Sequence, residues 1–306
     1  DSLLSSKNRM NTKQLLTLIR RDGVALIKDF LNDSQIESLI STCRNLYRGG
    51  QYDPAVVKSG IKTITSPGKD NYILSFRPVN VGSAAYDLGL KPVSDVFLSS
   101  PIAELSKKYL GWNWSSHSVV FDDREFANEL VGTWHSDNTD DSRTCLKFYL
   151  YLSDTFQGHG EFQYVKKSHI VTKYVARQLR STHNIKTLLH DKEVLVHELD
   201  KLEGSSKEFS QLVSDDASVL DDIRTLSEFS DCDAGRFTYP GKRGTLLVFD
   251  SHGLHRGGFS LGGRRIVLRS HHLANPTFKS LWNTRTTTVR AIRRLAYRSP
   301  IDSYFW

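Results

Sequence analysis

The chain has 306 residues, 39% hydrophobic and 25% charged, the balance of a globular domain with a sizeable core and not of a disordered chain. No apolar run approaches the roughly 18 residues of a membrane-spanning helix; the best, Thr245 to Phe249, is strand-length. The net charge of +7 is unevenly placed, because from His271 onward six Lys and Arg stand against Asp302 alone, giving this tail +5 and the body +2, so nucleic-acid binding through a basic, aromatic-interleaved strand face is not expected.

Taken in order, residues 12–21 carry a helical pattern stopped by Asp22-Gly23, "VALIKDF" follows as a strand, and Asp33-Ser34 opens a second helix. There Ser34 and Glu37 have capping-box spacing, and Ile36, Leu39, Ile40 and Cys43 share one face, which reads as core. Residues 50–100 are mixed and punctuated by Gly and Pro. "NYILSF", "HSVVFDD", "LKFYLYLSD" and "GEFQYV" read as short strands, and "TWHSDNTDD" between them as extended chain. From about 170 to 240 the pattern turns charged and helix-prone before strands return at "GTLLVFD" and "RRIVLRS". A long excursion between strands suits a lid, a wall of a binding site or an oligomer contact.

His135 and Asp137 lie two apart, so on extended chain both side chains point the same way and Ser136 points away. Such a pair alone is weak, and His159-Gly160-Glu161 is a decoy of the same form. A third ligand is available in "FDSHGLHRGGFSLGGRR", where His252 or His255 follows an apolar strand. Two imidazoles and a carboxylate on one face of a non-haem Fe(II) leave three positions open for a bidentate co-substrate and dioxygen. An arginine just beyond the last histidine, Arg264 or Arg265, suits the far carboxylate of a dicarboxylate.

Four stretches, in order across most of residues 20–270, together resemble the phytanoyl-CoA dioxygenase-like branch of the Fe(II)/2-oxoglutarate oxygenases: "RRDGVALIKDFLNDSQIESL", "WHSDN", "KFYLYLSDTFQGHGEFQYVKKSH" and "FDSHGLHRGG" with the following "RR". The resemblance implies a mainly β fold, a double-stranded β-helix of the jelly-roll or cupin-like kind with flanking helices and a helical insertion. It also implies His135, Asp137 and His255 as the iron ligands. His255 is preferred to His252 because the family places this ligand five residues after the Asp of the F-D pair, here Asp250. Arg265 is preferred as the 2-oxoglutarate anchor, with Arg264 the alternative, since only one of two neighbours can face the barrel interior. Lys147 has two readings, a lining residue of the co-substrate or substrate pocket and an ordinary solvated lysine. Related halogenases lack a carboxylate at the Asp137 position, so its presence points to oxidation without halogen transfer.

The implied protein is a dioxygenase using Fe(II), 2-oxoglutarate and dioxygen to hydroxylate an unactivated C–H bond of a small or lipid-linked metabolite. An acyl compound, an acidic sugar or glycolipid, or a natural product would fit. It would be anionic if Arg143, Lys166 and Lys167 surround the pocket mouth, though as single residues these read as solvated. Desaturation, epimerisation or cyclisation with the same cofactors, and a non-catalytic jelly-roll binding protein, are the alternatives. His159 and His169 read as structural or near-site, and Trp134 as packing. Residues 1–276 are expected to form the oxygenase domain, with the insertion at about 170–240 inside it, and 277–306 a basic aromatic tail. That tail suits packing across the body, a homo-oligomer contact or peripheral contact with an anionic membrane. Cys43, Cys145 and Cys232 form no C-x-x-C pair, and the polar start lacks the apolar core of a secretory signal, so a reducing cytoplasm is the expected location.

Overall fold

The computed structural model describes residues 11–48, 51–58, 61–66, 71–76, 84–137, 144–179, 191–214, 218–226 and 237–274. Up to the first long strand the elements are α1 (Thr12–Asp22), β1 (Val24–Ile27), α2 (Asp33–Arg44), β2 (Tyr47–Arg48), β3 (Gln51–Tyr52), α3 (Pro54–Lys58), β4 (Lys62–Ser66), β5 (Asn71–Phe76), α4 (Ala84–Asp87), α5 (Lys91–Leu98), α6 (Ser100–Leu110) and β6 (Trp114–Leu130). There follow β7 (Cys145–Tyr151), β8 (Phe162–Tyr164), α7 (Ser168–Leu179), α8 (Lys192–Ser205), α9 (Lys207–Ser214), α10 (Ser218–Thr225), β9 (Thr238–Tyr239), β10 (Leu246–Asp250), β11 (His255–Gly257) and β12 (Phe259–Ala274).

Local chemistry sets the boundaries. Gly23 ends α1 in the left-handed region at φ 82°, donating its N–H to the Ile19 carbonyl. The first strand is shorter than "VALIKDF" suggests, because the chain turns after Ile27 with Asp29 at φ 52°. The capping box of α2 lies two residues earlier than expected. Asn32 and Gln35 make the reciprocal bonds, not Ser34 and Glu37, because an amide at Asn32 already caps the free N–H groups. The face Ile36, Leu39, Ile40 and Cys43 is buried as expected.

Two antiparallel sheets form the core. The larger has the order β1-β10-β7-β12-β6-β5-β4 and the smaller β11-β8-β9. Alternation along the central strands gives the large sheet two buried faces. Leu146, Phe148 and Leu150 of β7, Leu246 and Val248 of β10, and Ile266 and Leu268 of β12 pack under the helices against residues such as Ile19, Ile36, Phe97 and Leu105. Their neighbours Tyr149, Tyr151, Leu247, Phe249 and Val267 point the other way and meet Phe162 and Tyr164 of the small sheet. This is the jelly-roll core with flanking helices that the sequence led us to expect. Two stretches are more strand-like than expected: β6 extends well beyond "HSVVFDD", and β12 begins at Phe259, before Arg264-Arg265.

The helical excursion has its own core, in which Val171, Val175, Leu195, Leu199, Phe209, Val213 and Ile223 pack with Trp134 and Leu254. Trp134 and Leu254 immediately precede His135 and His255. The excursion therefore supports the backbone on both sides of the candidate ligands and is more than a cover. Among the described residues no helix is long and apolar enough to cross a membrane, and Cys43 and Cys145 are buried free thiols. Arg143, Cys232 and the basic tail 277–306 lie outside the described residues.

Phe209 is fully buried, so Phe209→Ala should cost about 3–5 kcal/mol, read as a fall in the urea midpoint. Through Trp134 and Leu254 it should also weaken metal binding. A variant of reduced stability with wild-type Co(II) affinity would show that the excursion does not support the site.

Candidate metal centre

The segment that follows β6 and the start of β11 are tied by a reciprocal backbone pair. His135 N donates to the His255 carbonyl at 3.1 Å and His255 N to the His135 carbonyl at 3.0 Å. Two residues on, Asp137 N donates to Ser251 O at 3.0 Å. "TWHSDNTDD" is thus not a full strand; in its described part it makes one isolated bridge, at His135. The bridge brings the two imidazoles to a centroid distance of 4.5 Å.

His135, Asp137 and His255 come together, each offering one ligand atom, all within 4.8 Å of one another, as a group that could hold a metal ion. His135 Nδ1 donates to Thr133 O at 2.7 Å and His255 Nδ1 to Gly253 O at 2.8 Å. A carbonyl can only accept, so these bonds put an N–H on each Nδ1 and turn the Nε2 atoms toward Asp137. His135 Nε2 is 3.8 Å from Oδ1 and His255 Nε2 is 2.9 Å from Oδ2. Oδ2 is buried and forms no aligned hydrogen bond. Lys147 Nζ forms an ion pair with Oδ2, so Lys147 is an inward-facing, paired residue rather than a solvated one.

The protonation states also suit metal binding. Burial opposes the charge on Asp137, but Lys147 and then His255 outweigh it and hold the carboxyl well below its usual range. Burial first, then the neighbouring His255, pulls His135 down to about 4. An ionised carboxylate beside a neutral imidazole is what a divalent ion needs.

Strand parity separates the two candidate arginines. Arg265 lies on the same side of β12 as Val267, is 4% exposed, donates through Nη1 to the Gly160 carbonyl, and stacks 4.7 Å above Phe126. Its Nε is buried without a partner, an opening that an anion could fill. Arg264 faces the helices, bonding Asp123 at 2.6 Å, where Arg44 of α2 also binds at 2.9 Å. It clamps α2 to the sheet.

His252 stays outside the group. Its Nδ1 meets Asp250 Oδ1 at 3.0 Å, and its backbone N–H donates to the same oxygen at 2.9 Å. Asp250 also receives Tyr109 of α6 at 2.5 Å and Lys173 of α7 as an ion pair. Burial opposes its charge, but His252 and Lys173 hold the carboxyl far below its usual range. Sequence reasoning missed this network, which fixes the turn from β10 to His255 against two helices. Gly253 in that turn is required sterically, since a Cβ would fall 1.9 Å from the Tyr164 hydroxyl that donates to Asp250 O at 3.0 Å.

The remaining candidates are structural in placement. His169 Nε2 donates to Arg20 O at 3.3 Å, and His159 bridges Ser260. Glu161, the acid of the decoy pair, accepts from Gly158 N and Gln163. Trp134 packs edge-on against Phe237 at 5.9 Å beneath the Arg256 guanidinium.

The chain matches no family model, and no curated protein matches it in sequence. Solved structures do resemble it. Apo EctD from S. alaskensis aligns with a TM-score of 0.54 and 15% identity over 90% of this chain and 82% of that one. The non-heme alpha-ketoglutarate-dependent carbocyclase SnoK from nogalamycin biosynthesis gives 0.51 and 14% over 89% and 87%. EctD from S. alaskensis with 2-oxoglutarate and 5-hydroxyectoine gives 0.51 and 16% over 90% and 81%. At these identities the likeness establishes a shared fold.

Two buried histidines away from the candidate ligands give a pH test. Burial pulls His169 down to about 4 and His272 to about 3. A histidine with a lowered folded value takes up its proton more readily when unfolded. Its stabilising effect is therefore complete above the unfolded value near 6.5 and is lost as pH falls toward 4 and 3. Urea unfolding of the metal-free protein should show a loss of about 2 kcal/mol per histidine between pH 7.5 and 5. An unchanged unfolding free energy would contradict neutral burial.

Proposed function

We propose that the protein is an Fe(II)- and 2-oxoglutarate-dependent oxygenase of the phytanoyl-CoA dioxygenase-like branch, hydroxylating a C–H bond of a small or lipid-linked metabolite. The observation that carries this reading is the convergence of two imidazole Nε2 atoms and one ionised carboxylate inside a jelly-roll, whose interior also holds an inward arginine with an open N–H. His135, Asp137 and His255 would hold the metal. When bound, iron with 2-oxoglutarate and dioxygen supplies C–H oxidation, with 2-oxoglutarate leaving as succinate and carbon dioxide.

The chain itself binds and orients. Thr133 and Gly253 hold the imidazole tautomers, and Asp250, with Tyr109 and Lys173, holds the turn that presents His255. Arg265 would take the far carboxylate of the co-substrate, its fork already fixed by Gly160 O and Phe126. Lys147, paired with Asp137 in the ion's absence, would turn to the co-substrate's other anionic end once a metal neutralises that aspartate. The aromatic wall of Tyr149, Phe162 and Phe249 keeps water from the deep side of the site. The carboxylate at Asp137 favours oxidation without halogen transfer. EctD and SnoK, on the same fold, are crystallised with 2-oxoglutarate and described as alpha-ketoglutarate dependent, respectively, which supports the choice of co-substrate.

The test is succinate formation by purified protein with Fe(II), 2-oxoglutarate and air. Succinate should require Fe(II) and disappear in His135→Ala and Asp137→Ala. Arg265→Ala should raise the 2-oxoglutarate requirement at least roughly thirtyfold, the cost of leaving a buried charged partner unpaired. A folded wild-type protein that binds both cofactors yet makes no succinate with any candidate substrate would favour the jelly-roll binding protein.

A further inference from the structure

The interior face of the large sheet carries more positive charge than its own acids occupy. On β12, Arg265, Arg269 and His271 share the side of Val267, which faces the small sheet. Arg269 stands opposite Tyr149 of β7, and His271, two residues on, stands opposite Lys147, which places Arg269 about 7 Å along the strand from that row. Lys147 is paired with Asp137. Burial first, and then Lys147, keeps His271 neutral.

Among the described residues the acid of the large sheet's interior face is Asp122 of β6, and Arg124 occupies both of its oxygens, Nε at 2.6 Å and Nη2 at 2.8 Å. Arg269 is left with one long contact, Nη2 to Oδ2 at 3.3 Å, and a buried Nε with no acceptor. Among the described residues Asp122 is the only acid paired with it. A guanidinium so placed is held inward by the strand yet has a free edge for a planar, two-oxygen anion.

We propose that Arg269 anchors a carboxylate of the substrate, so that the substrate is an acidic metabolite bound by its carboxylate on the large sheet while its reacting carbon lies toward His135, Asp137 and His255. The proposal rests on the cofactor reading above, in which Arg265 and Lys147 serve the two ends of 2-oxoglutarate and leave Arg269 for a second anion. It also accounts for Arg269 and Arg265 standing four residues apart on the same face, one anchor for each acid.

The test uses Co(II)-loaded protein saturated with 2-oxoglutarate, titrated with hexanoate, decanoate, benzoate and phenylacetate and with their carboxamides. Binding is read by calorimetry and by the cobalt visible spectrum. At least one carboxylate should bind, its carboxamide roughly tenfold or more weaker. Arg269→Gln should lose at least that factor for the carboxylate, and Arg269→Lys should recover part of it. Both variants should bind 2-oxoglutarate within about twofold of wild type, since an anchor for the substrate alone leaves co-substrate binding intact. Equal binding of acid and amide, or no binding by any of the four acids, would overturn the proposal. So would a variant that loses 2-oxoglutarate instead, which would make Arg269 part of the co-substrate site. Failure of the wild type to bind 2-oxoglutarate at all would instead overturn the cofactor reading, and the proposal with it.

Discussion

The reciprocal backbone pair between His135 and His255 is the constraint on which the site depends. It joins two segments that are 120 residues apart in the chain and sets the imidazoles side by side before any side-chain chemistry enters. Asp137 then follows from strand geometry, two residues along and anchored to Ser251. Everything behind the pair works to hold it: the Asp250 network grips the turn before His255, and the helical excursion packs on Trp134 and Leu254. Lys147 balances the buried Asp137 carboxylate here, so the charge is compensated within the fold at the place where a metal ion could be held.

The large sheet organises charge by the same period of two that organises its core. On one side Asp123 receives Arg44 and Arg264 and fastens α2. On the other, Asp122, Arg124, Arg265 and Arg269 face the small sheet. Adjacent aspartates in "FDDREF" thus do opposite work, one structural under the helices and one inside the barrel, and the adjacent pair Arg264-Arg265 divides in the same way. Burying so many ions is costly unless each is paired or awaits a partner. Most are paired internally, and the open edges belong to Arg265 and Arg269.

Much of this was legible in the residues. The runs "LKFYLYLSD" and "GTLLVFD" read as strands, the family resemblance, through the spacing from Asp250, preferred His255 to His252, and the rule that neighbours on a strand diverge allowed one inward arginine. Other features were not legible because they depend on partners distant in sequence. Nothing near Asp250 announces Tyr109 or Lys173. The capping box moved to Asn32 because two neighbouring patterns compete and local spacing alone does not decide between them. Arg269 could have been noticed, since "RRIVLR" places it four residues from Arg265 and hence on the same face. Its free edge, however, becomes visible only when Arg124 is seen to occupy Asp122. Lys147 shows the limit most clearly, because a strand lysine reads equally as pocket-lining or solvated until the fold sets it beside a buried carboxylate.

The most direct test of the metal and co-substrate reading is an anaerobic titration of the purified protein with Fe(II) and then 2-oxoglutarate, following visible absorption. A band that needs both additions, and that is absent in His255→Ala but retained in His252→Ala, is the expected result. No band in a folded wild-type protein, or a band that survives His255→Ala, would contradict the assignment of His135, Asp137 and His255 as an iron site.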